Sequence, residues 1–179
     1  MKSTYHNLSW GSHVPVLLHC LHFTEGPVLE FGCGMYSTAI LSMYSHLRYC
    51  LSMETNRDWH EKVKSFFPTN TTEGENRGHD ILLVDDYRSA PVDDRNWSVV
   101  FVDQEESFRS ESAQKIRYNS RIVVVHDTNS SWVSSALNGF RYRYDFRDTF
   151  PHTGIASETE DLSELVESLQ SFFKGSERT

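Results

Sequence analysis

The stretch from Pro27 to Leu41 constrains this chain more than any other: Pro-Val-Leu-Glu-Phe-Gly-Cys-Gly-Met-Tyr-Ser-Thr-Ala-Ile-Leu. A short apolar run, Val28-Leu29, reaches an acid, Glu30. The chain then turns through Gly32 and Gly34 and enters helical spacing at Ser37-Thr38. A strand that ends in a glycine turn and feeds a helix is a place for a ligand. Glycines let the backbone approach closely, and the helix N-terminus offers unpaired N–H groups. Glu30, where the strand meets the turn, is positioned to accept from a donor group.

The remaining chain repeats the alternation. Apolar runs predict strands over Tyr49–Met53, Ile81–Val84, Ser98–Val102 and Arg121–Val125. The last two, Ser-Val-Val-Phe-Val and Arg-Ile-Val-Val-Val, suit strands buried on both faces. Apolar residues at helical spacing predict helices over Trp10–Phe23, Ser37–Tyr44, Arg57–Phe67 and Ser130–Leu137. The first has Ser12 as its N-cap and Pro15 in its first turn. A final helix capped by Thr159 carries Leu162, Leu165, Val166, Leu169, Phe172 and Phe173, and the tail from Gly175 is expected to fray. Tyr142, Tyr144 and Phe146 alternate with Arg141, Arg143, Asp145 and Arg147, the period of a strand. With Thr153–Ser157 this strand makes a C-terminal hairpin. The sum is an α/β three-layer sandwich: a doubly wound, mostly parallel sheet of about seven strands with an antiparallel hairpin at its end. Residues 1–179 read as one domain, with 1–25 as an N-terminal helix segment.

Composition narrows the function classes. A formal net charge of −8 opposes general nucleic-acid binding, which needs a basic face. Three cysteines, Cys20, Cys33 and Cys50, are odd in number and lack paired-ligand spacing, so they read as reduced thiols. Met1–Trp10 has no apolar leader segment, and no run reaches membrane-spanning length. The expectation is a soluble, cytoplasmic protein that engages no membrane. Homodimerisation is a reasonable expectation that no motif supports.

The glycine turn separates two cofactor chemistries. A dinucleotide fingerprint needs a third glycine opening the helix; here Ser37 stands there. Glu-Phe-Gly-Cys-Gly instead resembles the first motif of class I S-adenosylmethionine-dependent methyltransferases. The resemblance extends from Val28 to Ser157 through the order and spacing of strand-end acids. It implies that Glu30, Gly32, Gly34, Ser37 and Thr38 hold the methionyl end of S-adenosyl-L-methionine. Glu54 and Thr55, ending the second strand about twenty residues on, suit the ribose hydroxyls. Asp85, Asp86 and Tyr87 follow the third strand, where the family meets the adenine, with Tyr87 available to stack. Asp103 ends the fourth strand, where methionyl group and acceptor meet. The leading helix, through Trp10, Ser12 and His13, either touches the ligand or only packs.

His126 and Asp127, at the end of the fifth strand beside Asp103, form the strongest catalytic constellation. A histidine there serves as base toward an acceptor hydroxyl or amine, or as a structural hydrogen-bonded residue. Arg109 either binds an anionic acceptor or pairs with Asp103. Asp103, Asp127 and Asn129 offer oxygens to Mg2+, but Gln104-Glu105-Glu106 departs from the signature of the magnesium-using branch, so no metal ligand is assigned. The implied reaction is methyl transfer to the oxygen or nitrogen of a small-molecule acceptor. The rivals are a nicotinamide-dependent oxidoreductase on a similar sheet and a binding or regulatory protein without catalysis.

Overall fold

The computed structural model describes residues 9–70 and 76–176. The expectations for Met1–Leu8 and for the last three residues lie outside them. Strands β1 (Val28–Phe31), β2 (Tyr49–Glu54), β3 (Gly78–Leu83), β4 (Trp97–Val102), β5 (Ser120–His126), β6 (Tyr142–Phe146) and β7 (Thr153–Ser157) form one sheet in the order β3-β2-β1-β4-β5-β7-β6. The first five are parallel to one another, and β7 runs antiparallel to both β5 and β6. Helices are α1 (Val14–His22), α2 (Ser37–Tyr44), α3 (Arg57–Phe66), α4 (Glu106–Lys115) and α5 (Ser163–Ser176).

Strand alternation divides the core between two faces. Val28, Val99, Phe101, Ile122 and Val124 pack with Val16, Leu17 and Leu21 of α1, Leu41 of α2 and Leu165 and Leu169 of α5. Leu29, Phe31, Val100, Val102, Val123 and Val125 point the other way, onto Ala113 and Ile116 near the end of α4 and onto Val133, Ala136 and Phe140. Both faces are covered, which is why the central strands read as unbroken apolar runs.

Four details depart from the sequence expectation. Residues Ser130–Leu137 form successive turns, not a helix, with Val133 and Ser134 N–H both bonding Ser130 O. Hydroxyls compete for the backbone there: Ser134 Oγ donates to Ser131 O, while Ser130 Oγ leaves to bond Glu106. Strand β3 starts three residues early, because His79 is buried and bonded to Ser52 at 2.8 Å. Thr159 does not cap α5; Asp161 Oδ1 accepts from Ser163 N–H at 2.9 Å, and the helix continues through Gly175 to Ser176. Ser12 does not cap α1 either, since its hydroxyl is engaged elsewhere.

A cavity at the topological switch point

Strand order reverses between β1 and β4, whose carboxyl ends open a crevice where open α/β sheets take ligands. A cavity of about 530 Å3 occupies it, within the range of small-molecule sites. Its wall includes Gly32–Tyr36, Glu54–Asn56, Trp59, Tyr87, Asp103–Glu105 and His126–Asp127, with Trp10 and His13 from the leading segment.

Gly32 adopts φ +85°, and a Cβ there would stand 2.5 Å from the backbone N and Cα of Gln104. Its missing side chain lets the β1 and β4 turns pack together, where the sequence had suggested only close approach to a ligand. Beneath the cavity, Thr38 Oγ1 accepts from Gly34 N–H at 2.9 Å and donates to Glu30 Oε2 at 2.7 Å. Glu30 is fully buried, and Ser37 and Thr38 are buried with it. These three brace the turn from behind and do not line the cavity. Burial pushes the Glu30 carboxyl up to about 7, against the opposing pull of the Ser37, Ser52 and Thr38 hydroxyls.

Glu54 does reach the wall. Its Oε1 accepts from the N–H groups of Thr55 and Asn56, both at 2.8 Å, and its Oε2 accepts from Cys33 N–H at 3.2 Å. The carboxylate is therefore fixed in place with capacity left on Oε2. Tyr87 reaches toward it, with its hydroxyl 3.5 Å from Oε1 and its ring edge-on to Phe31. The ring is 5 % exposed, so it closes the wall edgewise and does not offer a stacking face. Asp85 and Asp86 do not line the cavity; Asp85 is exposed, and Asp86 caps the short turn at Tyr87–Ser89 by accepting from Arg88 N–H. Trp59, which the sequence reading missed, donates Nε1–H to Cys33 O at 2.7 Å and stands against the glycine turn. The available signal was Asn56, whose side chain caps α3 and so aims that helix start at the cavity.

At the other end of the cavity one guanidinium organises the strand ends. Arg109, 6 % exposed, donates from Nε to Gln104 O at 2.6 Å. Its NH1 donates to His126 O at 2.9 Å and to Asp127 Oδ2 at 2.5 Å, and its NH2 lies 3.0 Å from Asp103 Oδ1. Of the two roles expected for Arg109, the structure shows the pairing one. The same contacts place a cation between Asp103 and Asp127, and Asn129 turns away to accept from His152 N–H. The oxygen set considered for Mg2+ therefore does not assemble.

His126 Nδ1 lies 3.0 Å from Asp103 Oδ1, and its Nε2 lies 2.8 Å from Ser12 Oγ. A carboxylate beside a guanidinium accepts, so the network assigns the proton to Nδ1 and the lone pair to Nε2, facing the Ser12 hydroxyl. Asp127 holds its position at φ +59°, a backbone region that aspartate tolerates better than most residues. His13 packs edge-on against His126, with ring centroids 4.7 Å apart, and tilts against Phe101. Burial drives its imidazole down to about 3, so it is neutral.

No protein-family model and no curated protein matches the sequence. Solved structures do match in fold. Human methyltransferase-like protein 13, in complex with S-adenosylhomocysteine, superposes with a TM-score of 0.61 at 13% identity, covering 96% of this chain and 92% of that one. Spermidine synthase from Thermotoga maritima gives 0.57 at 13% identity over 89% of this chain and 62% of its own. A TehB-like S-adenosylmethionine-dependent methyltransferase from Corynebacterium glutamicum gives 0.51 at 11% identity, covering 80% and 85%. The chain has the class I methyltransferase fold, including its antiparallel C-terminal strands. Among the described residues, no helix is long and apolar enough to cross a membrane.

Proposed function

We propose that this chain is an S-adenosylmethionine-dependent methyltransferase acting on the oxygen or nitrogen of a small-molecule acceptor. One observation carries the reading. A single cavity at the β1–β4 switch point gathers the glycine turn, the β2-end carboxylate Glu54, and the Asp103–His126–Asp127 cluster. Fold alone does not fix chemistry; the polar groups in that cavity are what favour this one.

The residues present fit the cofactor. The Glu54 carboxylate is held by backbone N–H groups and keeps a lone pair for ribose hydroxyls. Met35, Tyr36 and Trp59 supply apolar walls for a nucleoside. S-adenosylmethionine, when bound, supplies an electrophilic methyl on a sulfonium. The chain's own work is alignment and exclusion of water. Arg109 fixes Asp103 and Asp127 at the ends of adjacent strands. Asp103 orients His126 so that the Nε2 lone pair receives a proton from the acceptor, after the Ser12 hydroxyl yields its place. Strand-end carboxylates and a net charge of −8 favour neutral or cationic acceptors over polyanions.

Calorimetric titration of the purified protein with S-adenosylmethionine, S-adenosylhomocysteine and NAD tests the reading. Micromolar binding of both sulfur nucleosides without NAD supports it. NAD binding alone moves the nicotinamide reading forward, and no binding of any of them removes the cofactor assignment. Glu54→Ala is expected to weaken S-adenosylhomocysteine by about 10- to 100-fold, the range for losing hydrogen bonds to a charged acceptor. An unchanged affinity would take Glu54 out of the ribose site.

A further inference from the structure

His13 has an unexplained side chain. It is 1 % exposed, and neither Nδ1 nor Nε2 has a hydrogen-bond partner among the described residues. Buried polar atoms are paired in the great majority of cases, and an orphan points to a missing water or ion. A buried imidazole without partners is costly, and this one borders the cavity that carries the rest of the chemistry.

The surroundings supply two more metal-ligating groups. Ligand atoms of His13, Asp103 and His126 all lie within 4.8 Å of one another. We infer that these three residues form a site for one divalent transition-metal ion of the zinc, cobalt or iron(II) type. Two imidazoles and one carboxylate suit such ions, whereas Mg2+ and Ca2+ prefer an all-oxygen set. Bonds of about 2.0–2.2 Å to one ion are within reach of ligand atoms gathered this closely.

The supporting contacts are of the kind metal ligands need. Both contacts to Asp103 side-chain oxygen, from Arg109 and from His126, fall on Oδ1, which leaves Oδ2 for an ion. An ion on the Asp103 side of His126 takes the place of the Nδ1 proton, and the ring then carries its proton on Nε2 and donates it to Ser12 Oγ, a partner that orients a ligating imidazole. Asp103 and Asp127 outweigh Arg109 by one charge, so the cluster accepts a cation. Cys33, also in the wall, contributes no thiolate, because burial pushes its thiol well above the usual range.

The test uses the full chain after chelator treatment, titrated with Co(II) and followed by its visible d–d absorption. One saturating equivalent is expected, displaced by Zn(II) and indifferent to excess Mg(II). His13→Gln should weaken binding at least about tenfold, since even residues supporting a ligand cost 10- to 100-fold. The exposed His46→Gln should leave it unchanged. If circular dichroism shows that His13→Gln has lost its fold, Asp103→Asn provides the same readout. Absence of a one-equivalent band, or equal binding by the folded ligand variants, would overturn the site. The inference does not depend on methyl transfer, because S-adenosylhomocysteine affinity is measured separately and either result stands alone.

Discussion

Glu30 offers the sharpest test of the structure, because its effect on stability changes with pH. Its carboxyl is fully buried and holds its proton up to about pH 7, against an ordinary value of 4.5 in an unfolded chain. Between those values the folded state binds a proton that the unfolded state has lost. Stability therefore falls as pH rises through this window, and the loss is complete above pH 7. At 1.36 kcal/mol per unit, the penalty at pH 8 is about 3 kcal/mol. Glu30→Gln keeps an acceptor for Thr38 and carries no charge at any pH. Measured as Tm, variant minus wild type should be smallest near pH 4.5 and rise by roughly 6–12 °C toward pH 8, taking ~2–4 °C per kcal/mol for a chain of this size. The assay is thermal unfolding followed by circular dichroism at half-unit steps from pH 4.5 to 8.5, with both proteins in the same buffers. A difference curve that stays flat, or that falls with pH, would mean that Glu30 is not a desolvated carboxyl and that the packing beneath the glycine turn is wrong.

Three further outcomes follow from the same geometry. Gly32→Ala forces a left-handed residue with a Cβ into the Gln104 backbone, costing about 3 kcal/mol and lowering Tm by roughly 6–12 °C; a shift under about 2 °C would contradict the close packing of the two turns. Arg109→Met leaves Asp103 and Asp127 without their shared cation and should cost about 3–5 kcal/mol in urea unfolding at pH 7, whereas a variant as stable as wild type would show the pairs to be incidental. With an acceptor in hand, His126→Gln should lower methyl-transfer turnover about 10²- to 10⁴-fold while sparing S-adenosylhomocysteine affinity, and a fully active variant would remove the imidazole from the mechanism.

Much of the fold was legible because apolar burial writes itself into local sequence. Helix α2 begins and ends at the residues predicted, and β4 and β5 differ from their predicted spans by only a residue at an end. What escaped depends on partners far away in the chain. His79 looks like a loop residue until Ser52 is set beside it. Residues Ser130–Leu137 carry helical apolar spacing, but the hydroxyls of Ser130 and Ser134 bond elsewhere, and Ser134 competes for the backbone, which periodicity does not register. The site divides in the same way. The strand-end positions of Glu54, Asp103, His126 and Asp127 were readable from spacing. The direction each side chain faces was not: Glu30 and Thr38 turn inward, and Asp85 and Asp86 turn away to the surface side of a short turn. Ser12 was read as a helix cap, and its bond to His126 spans 114 positions, beyond the reach of any local pattern.

The junction of β1 with β4 has a kinetic corollary. Val28 pairs with Val99, so about 70 residues must be ordered or looped out before the two strands meet. The β1–β2–β3 half can assemble from nearer neighbours, and so can the β4–β5 half. The crevice comes into being only when the halves join. A ligand that makes its contacts only in the completed crevice gains nothing from the earlier steps. Such a ligand acts as a late clasp: it lengthens the lifetime of the native state by slowing unfolding and leaves the rate of refolding almost untouched.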